Sequence, residues 1–260
     1  MEFCTIASGS SGNSTCVGLG DQHFLVDAGI SGKRIEHALA RMSVSKLSGI
    51  FITHEHRDHI TGAGVMARRF KLNIYATPLT WRYFSRTKSI GELNMEQIKI
   101  VEPGKPFDVD GVTVTAFDIP HDAAQPVGYT FQFGGKKIAV ATDLGHITDT
   151  VRTHLTDAQI ILLESNHDPH MLKNGPYHQA LKVRVAGKHG HLSNADAGVL
   201  LAEVAGARLE YVFLAHLSED NNTRTLAYET VKRVLDGNNV SIKNLIVAER
   251  HSPGVVVKCE

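Results

Sequence analysis

Short apolar runs bounded by small and polar residues recur along the chain and predict β-strands. In the N-terminal part these runs cover 2–7, 15–19, 23–26 and 48–52. Runs of this length with turn residues on both sides are typical of buried strands. Further strands are predicted at 73–76, 97–101, 112–119, 127–133, 136–142, 159–163, 211–214, 243–247 and 254–258.

Apolar residues at helical spacing separate several of these runs. Ser31 is predicted as the N-cap of a helix over about 32–42, and Asp58 as the N-cap of a helix near 59–70. Helices are also predicted near Trp81 and over 194–204 and 224–235. Strands mixed with helices throughout, joined by short connections, predict one α/β domain over 1–260, with sheets inside and helices outside.

The segment Thr-His-Glu-His-Arg-Asp-His at 53–59 concentrates metal ligands directly after a predicted strand. His54 and His56 leave the strand end with side chains that can turn toward one point. Asp58 and His59 follow where the chain turns toward a helix and can face a second cation. Imidazole suits zinc, manganese and iron, and carboxylates favour a site that holds two ions. The motif therefore predicts a dinuclear metal centre.

Four other potential ligands stand where an apolar run ends. They are Asp27, His121, Asp143 and His216. Side chains at the strand ends of one sheet edge can converge although they are far apart in sequence, and rigid strands hold them with the accuracy that a metal site needs. These residues are predicted to complete the centre.

Composition and charge exclude only a few classes of protein and site. The chain has 260 residues, 42% of them hydrophobic, with 27 basic and 27 acidic residues. The balance argues against a broadly basic surface but allows local basic patches. Three cysteines without paired spacing indicate neither a disulfide framework nor a thiolate zinc site. The absence of a long apolar segment or a leader at 1–4 predicts a cytoplasmic protein that does not insert into membranes.

With these residues in order, the chain resembles the metallo-β-lactamase superfamily. The resemblance implies a four-layered αββα sandwich with metals at one edge of two sheets. It assigns His54, His56 and His121 to the first ion and Asp58, His59 and His216 to the second, with Asp143 bridging. Asp27 is then a supporting carboxylate that hydrogen-bonds ligands without binding metal itself.

A second resemblance, to the nuclease branch that contains RNase Z, depends on Glu164 at a strand end and His191 before a helix. It implies that Glu164 orients His191 and that His191 protonates the leaving oxygen. We also expect Asp58 to serve as both ligand and catalytic residue. The segments Ser-Gly-Ser-Ser-Gly-Asn-Ser at 8–14, Glu-Ser-Asn-His-Asp at 164–168 and His-Leu-Ser-Glu-Asp-Asn-Asn at 216–222 further resemble the bacterial YycJ (WalJ)-type metallo-hydrolases. That family implies a cytoplasmic exonuclease acting on double-stranded DNA from the 5′ end.

Substrate contacts are predicted from two segments. The small-residue loop at 8–14, with Ser10, Ser11 and Asn13, can offer hydroxyls and backbone amides to a phosphate. Lys182, Arg184 and Lys188 lie in a stretch without acidic residues just ahead of His191. We expect these cations to contact a nucleic acid backbone.

The leading hypothesis is a phosphodiesterase with two divalent ions, zinc, manganese or iron, in which a bridging hydroxide attacks phosphorus. The predicted partner is nucleic acid, and DNA by resemblance; protein partners stay open. One alternative is a small-molecule hydrolase acting on an ester, thioester or lactone, which predicts a closed apolar pocket in place of a basic groove. The other is a non-catalytic regulatory metal-binding protein.

Overall fold

A computed structural model describes residues 1–88 and 90–259 and contains two seven-stranded sheets. The first sheet has the order β14-β1-β2-β3-β4-β5-β6. Its strands are β1 (Glu2–Ala7), β2 (Ser14–Leu19), β3 (Gln22–Val26), β4 (Gly49–Phe51), β5 (Ile74–Ala76), β6 (Ile98–Ile100) and β14 (Val257–Lys258). Strands β14 to β3 pair antiparallel, and β3 to β6 pair parallel.

The second sheet repeats this mixture of pairings, with the order β13-β12-β11-β10-β9-β8-β7. Its strands are β7 (Pro106–Val109), β8 (Val112–Asp118), β9 (Val127–Phe133), β10 (Lys136–Ala141), β11 (Ile160–Glu164), β12 (Tyr211–Ala215) and β13 (Asn244–Val247). Strands β10 to β13 are parallel, so their carboxyl ends meet at one edge of the sheet.

The helices lie between and after the strands. They are α1 (Gly32–Arg41), α2 (Arg57–Ile60), α3 (Ala63–Phe70), α4 (Pro78–Phe84), α5 (Asp149–Leu155), α6 (Pro169–Asn174), α7 (Gln179–Val185), α8 (Asn194–Val204) and α9 (Arg224–Gly237), with a 3₁₀ turn at Met95–Gln97. No helix within 1–88 and 90–259 is long and apolar enough to cross a bilayer.

Three apolar clusters define the layers. The middle cluster joins the inner faces of the two sheets and is rich in aromatic residues, including Phe24, which stacks on Phe131 with ring centroids 5.5 Å apart. A second cluster lies between the first sheet and α1, α3 and α4. The third lies between the second sheet and α5, α8 and α9. The chain therefore forms the predicted αββα sandwich.

The helix predicted near 59–70 is divided in two, and the predicted cap at Asp58 is wrong. His56 is the N-cap of α2, and Asp58 lies inside its first turn. The division follows from a close approach at Gly62, whose amide donates to Ala28 O at 2.7 Å. A Cβ atom at Gly62 would lie 2.2 Å from Ile30 O, so a glycine is required where the chain passes the 27–31 loop.

The periodicity of apolar residues did not predict α5, α6, α7 or β7. The three helices are short and bury few side chains, with only Leu172 buried in α6 and only Val185 in α7. Their starts are fixed instead by N-cap side chains, because Thr148, Asp168 and His178 accept from backbone amides inside α5, α6 and α7. The strand predicted at 254–258 is reduced to the two residues of β14.

Candidate active site

The loops that follow the strands of both sheets meet at one edge of the sandwich. The 54–59 motif follows β4, Asp27 follows β3, and three candidates, His121, Asp143 and His216, follow β8, β10 and β12. Three of these residues have left-handed backbone, with φ of 58° at Asp27, 61° at Asp143 and 54° at His216. Asp and His adopt this conformation more readily than most residues, and it turns the chain sharply at the strand end.

The first ligand cluster consists of His54, His56 and His121. His56 Nδ1 lies 3.0 Å from His54 Nε2 and 3.4 Å from His121 Nε2. Nitrogen ligands around a tetrahedral zinc ion are separated by about 3.3–3.4 Å, given Zn–N bonds of roughly 2.0–2.1 Å. The outer ring nitrogens face oxygens, since His54 Nδ1 is 3.0 Å from Thr53 Oγ1 and His121 Nδ1 is 3.2 Å from Gly190 O. The donor set therefore fits a metal ion.

The second cluster consists of Asp58, His59 and His216. Asp58 Oδ2 lies 3.5 Å from His59 Nε2 and 3.7 Å from His216 Nε2. His216 Nε2 is buried without a hydrogen-bond partner among the described residues. A buried polar atom left in this state is costly unless something coordinates it. The unpaired Nε2 of His216 is therefore suited to bind a second metal ion.

Asp143 lies between the two clusters. Its Oδ2 is 3.4 Å from His59 Nε2 and, like His216 Nε2, is buried without a hydrogen-bond partner within the described ranges. Its Oδ1 is 3.8 Å from His121 Nε2. One carboxylate thus faces ligands of both clusters, which is the placement expected of a bridging ligand.

Asp27 supports the first-sheet side of the site. Its carboxylate accepts from Thr53 N at 2.9 Å, Thr53 Oγ1 at 2.9 Å and His59 Nδ1 at 2.7 Å. Burial raises the pKa of Asp27, and the charge of His59 with the hydrogen bonds from His59 and Thr53 offsets only part of this effect. Because His59 donates from Nδ1 to Asp27, its Nε2 is left for the second cluster.

Glu164 supports the second-sheet side. Its Oε1 lies 2.8 Å from both His191 Nδ1 and His216 Nδ1, and its Oε2 accepts from Leu144 N at 2.7 Å and Leu192 N at 3.0 Å. Burial opposes ionisation, but the charges and hydrogen bonds of His191 and His216 outweigh it and hold the pKa of Glu164 well below its usual value. The predicted Glu164–His191 contact is present, whereas the bond to the ligand candidate His216 was not expected.

His191 stands beside the clusters and opens to the surface. Its side chain is 19% exposed, against 0% for Glu164. Burial alone would lower the pKa of His191, but the charge and hydrogen bond of Glu164, with the charge of Asp143, raise it. The backbone just before His191 packs closely against the end of α7, because a Cβ atom at Gly190 would lie 2.2 Å from both Arg184 O and Val185 O. This close packing limits movement of His191.

Two depressions open beside the clusters and share Ser10. One, the His191 pocket, has a volume of about 140 Å³ and is lined by residues including Ser10, Tyr177, Arg184, His191 and Ser218. The other, the Arg57 groove, has a volume of about 460 Å³ and is lined by residues including Ser10, Ser11, Ser31, Arg34, Arg57 and Asp58. The groove is broader, and each depression reaches a metal-ligand candidate, His216 in the pocket and Asp58 in the groove.

The predicted substrate contacts are distributed unevenly between these depressions. Ser10 and Ser11 line the groove, and Arg184 lines the pocket while pairing with Asp122. Lys182 Nζ donates to Lys173 O at 2.8 Å, and Lys188 O faces His146 Nδ1 at 2.8 Å. No contact made by Lys182 or Lys188 reaches a ligand candidate within the described ranges.

Asn13 is turned inward. Its Nδ2 lies 3.0 Å from His59 Nε2 and 3.3 Å from Asp58 Oδ2, and its Oδ1 accepts from Gly9 N at 2.8 Å. Its backbone amide also donates to Asp58 O at 2.7 Å. Asn13 therefore ties the 8–14 loop to the second ligand cluster, and its contact with substrate stays a prediction.

Sequence reasoning assigned no role to Asn222, which joins the loops around Glu164. Asn222 Nδ2 donates to Ser165 O at 2.9 Å and Asn166 O at 3.0 Å, while Asn222 Oδ1 accepts from Asn194 Nδ2 at 2.9 Å. Asn166 Nδ2 in turn donates to His216 O at 2.8 Å. The sequence does show an asparagine after β11, at the start of α8 and before α9, namely Asn166, Asn194 and Asn222. Their contact with one another depends on the fold and could not be predicted from these positions.

Comparisons with known sequences point to one family. A model described as a β-lactamase superfamily domain matches residues 22–216. The chain is 38% identical over 238 residues to "Exodeoxyribonuclease YycJ" of Bacillus anthracis, covering 91% of this chain and 89% of that protein. It is 37% identical over 233 residues to "Exodeoxyribonuclease WalJ" of Streptococcus pneumoniae, covering 89% of this chain and 87% of that protein.

Solved structures agree in fold. Zn²⁺-bound PqqB from Methylobacterium extorquens superposes with a TM-score of 0.75 at 15% identity, covering 100% of both chains. The short form of human tRNase Z superposes with a TM-score of 0.65 at 16% identity, covering 99% of this chain and 100% of that one. At these identities the likeness concerns the arrangement of the sheets and helices alone.

Proposed function

The chain belongs to the β-lactamase superfamily, and from this premise we propose that it is a metal-dependent phosphodiesterase that shortens DNA from the 5′ end. The observation that carries the proposal is the bond of 2.8 Å between Glu164 Oε1 and His191 Nδ1, beside two ligand clusters. The names of the relatives, exodeoxyribonucleases at 37–38% identity over most of the chain, support the choice of DNA.

Two divalent ions are proposed as cofactors. His54, His56 and His121 would hold the first, Asp58, His59 and His216 the second, and Asp143 would bridge them. When bound, such ions lower the pKa of a water molecule and neutralise charge that develops on phosphate oxygens. Zinc, manganese and iron all accept histidine and carboxylate ligands.

His191 is proposed to move the proton at the leaving oxygen. Glu164 accepts from Nδ1, so the ring presents Nε2 from the wall of the His191 pocket. The attacking water gives up one proton to solvent. As its oxygen forms the new bond to phosphorus and the bond to the leaving sugar oxygen breaks, the proton on His191 Nε2 passes to that oxygen, and the ring then regains a proton from solvent. Glu164 stays ionised and holds the resulting ring in place.

The form of the cleft favours a polymeric substrate over a small ester. A small-molecule hydrolase was expected to have a closed apolar pocket, but the Arg57 groove is open and carries Arg34 and Arg57 beside hydroxyl groups. The complete ligand set with a proton-transfer pair also favours an enzyme over a regulatory metal-binding protein. Because the named relatives come from bacteria, whose DNA lies in the cytoplasm, we propose that this protein acts there as well.

The direct test is digestion of 5′-labelled and 3′-labelled duplexes, with single-stranded DNA and RNA in parallel, in the presence of Mn²⁺ or Zn²⁺. We expect metal-dependent release of nucleotides from the 5′ end of DNA, and its loss in Asp143→Ala. Asp157→Ala is the matched control, because Asp157 is also left-handed, with φ of 63°, but lies outside the ligand clusters. Turnover of chromogenic esters exceeding that of bis(p-nitrophenyl) phosphate would contradict the proposal.

A further inference from the structure

Arg57 stands inside the metal motif, between His56 and Asp58, yet its side chain is exposed. Its backbone is fixed, because Thr61 N and Thr61 Oγ1 donate to Arg57 O at 3.2 Å and 2.6 Å. Among the described residues its guanidinium makes no ion pair and no hydrogen bond. A cation held one residue from two metal-ligand candidates, without a protein partner, is available to an anion.

The Arg57 groove places a second cation on the same surface. Arg34 lines the groove, and its Nη2 donates to His251 O at 2.9 Å, which orders the side chain without neutralising its charge. Ser10, Ser11 and Ser31 add hydroxyl groups along the groove. The floor is close-packed, since a Cβ atom at Gly29 would lie 1.6 Å from Asp58 O. The groove is therefore a fixed, basic and hydroxyl-rich channel that leads to Asp58.

Two other basic depressions of the molecule are less suited to an anion at this site. Arg184, which the sequence favoured, lines the His191 pocket but is paired with Asp122, whose carboxylate balances its charge. A separate depression of about 500 Å³ contains Lys136, Lys137 and Arg208, but it lies where β10 begins, at the opposite end of the strand from Asp143. Only the Arg57 groove combines unbalanced cations with contact to a ligand cluster among the described residues.

We propose that the Arg57 groove binds the phosphodiester backbone next to the scissile phosphate, with Arg57 and Arg34 each contacting one phosphate. The inference rests on the proposed phosphodiesterase activity and specifies how its substrate lies across the site. Guanidinium groups form charge-assisted, often paired hydrogen bonds with phosphate oxygens, and such contacts position a nucleic acid without reading its sequence. The hydroxyls of Ser10 and Ser11 then face the backbone between the two cations.

The test measures binding separately from turnover. Wild type, Arg57→Ala and Arg34→Ala are titrated with a fluorescent duplex in EDTA across a range of salt concentrations. Each substitution is expected to weaken binding about tenfold and to reduce the slope of log K against log salt by about 0.9, the value for one lost phosphate contact. With metal present, kcat/KM is expected to fall further on the duplex than on bis(p-nitrophenyl) phosphate, because the small diester has no flanking backbone.

Two matched controls remove an arginine elsewhere. Arg233→Ala removes an exposed arginine of α9, as Arg57→Ala removes one of α2. Arg208→Ala removes an arginine that donates to a backbone carbonyl, Gly135 O, as Arg34 donates to His251 O. The inference is overturned if wild type binds and cleaves the duplex while the groove variants match these controls. A wild type that neither binds nor cleaves DNA overturns the proposed function and the inference together.

Discussion

Two buried carboxylates, one at a strand end of each sheet, support the candidate site in different ways. Asp27 follows β3 and accepts from one ring nitrogen, His59 Nδ1, with Thr53 supplying the other two donors. Glu164 ends β11 and accepts from two ring nitrogens, on His191 and His216, with two backbone amides completing its contacts. The first carboxylate holds one candidate ligand, and the second holds a candidate ligand and the proposed proton donor at once.

The difference is visible in the direction of their pKa shifts. Burial dominates at Asp27 and raises its pKa, whereas at Glu164 the histidines outweigh burial and lower its pKa. A carboxylate that stays ionised can hold two imidazole rings in the orientation that leaves each Nε2 free. We therefore expect Asp27 to govern metal binding, and Glu164 to govern metal binding and proton transfer together.

The largest effect is expected from Glu164→Gln. The amide cannot accept at one oxygen from two rings while keeping the charge that stabilises them, so His191 and His216 both lose their orientation. We expect kcat on a 5′-labelled duplex to fall about 10⁴-fold, combining loss of proton transfer with weaker metal binding. The metal content of the same samples is measured by inductively coupled plasma emission spectrometry.

Glu203→Gln is the control for Glu164→Gln, because Glu203 is an acid of α8 whose partner is the partly exposed Arg152. A Glu164→Gln enzyme with full metal content and kcat within tenfold of wild type would show that the shared carboxylate has no catalytic importance.

His191→Ala separates the two functions of Glu164. It removes the proposed proton donor but none of the seven residues proposed to hold the ions, which are His54, His56, Asp58, His59, His121, Asp143 and His216. We expect a loss of about 10³-fold in kcat on DNA with both ions retained. The loss should shrink on a substrate with a p-nitrophenolate leaving group, which needs no proton to depart.

The control is His189→Ala, an exposed histidine two residues earlier. An equal loss on DNA and on the nitrophenyl substrate would mean that His191 acts by positioning the phosphate, and the assignment as proton donor would be wrong.

Asp27→Asn tests the other carboxylate. Asparagine tolerates the left-handed backbone at this position, where φ is 58°, so the loop is expected to keep its conformation. Replacing one carboxylate oxygen by an amino group removes an acceptor from the set that fixes His59 and Thr53, and this should weaken metal binding at the second cluster by about 10–100-fold. Titration with Mn²⁺ should restore kcat in Asp27→Asn but not in Glu164→Gln. Failure of saturating metal to restore turnover would remove the distinction between the two carboxylates.

The sequence predicted which candidate ligands lie together better than it predicted the groups that hold them in place. The 54–59 motif is local, and Asp27, His121, Asp143 and His216 follow apolar strands whose carboxyl ends must meet, so convergence could be expected from pattern alone. The bond between Glu164 and His216 could not, because 52 residues separate them and their contact depends on the parallel register of β11 and β12. Helices α6 and α7 were missed for a related reason, since their caps rather than an apolar stripe define them.

The smallest effect is expected from Asn222→Ala. This substitution tests whether the geometry of Glu164 depends on the nearby asparagine side chains. Asn222 ties together Ser165, Asn166 and Asn194, but it touches neither Glu164 nor His191 directly. Leaving these buried groups unpaired should lower the free energy of unfolding by about 1–3 kcal/mol and Tm by roughly 2–10 °C. Because the backbone amides of Leu144 and Leu192 still hold Glu164, kcat should fall less than tenfold.

Asn238→Ala, which removes an exposed amide bonded to Val234 O at 2.8 Å, is the matched control. A drop in kcat as large as that of His191→Ala, without a change in Tm, would place the control of Glu164 in this amide network rather than in its own four bonds.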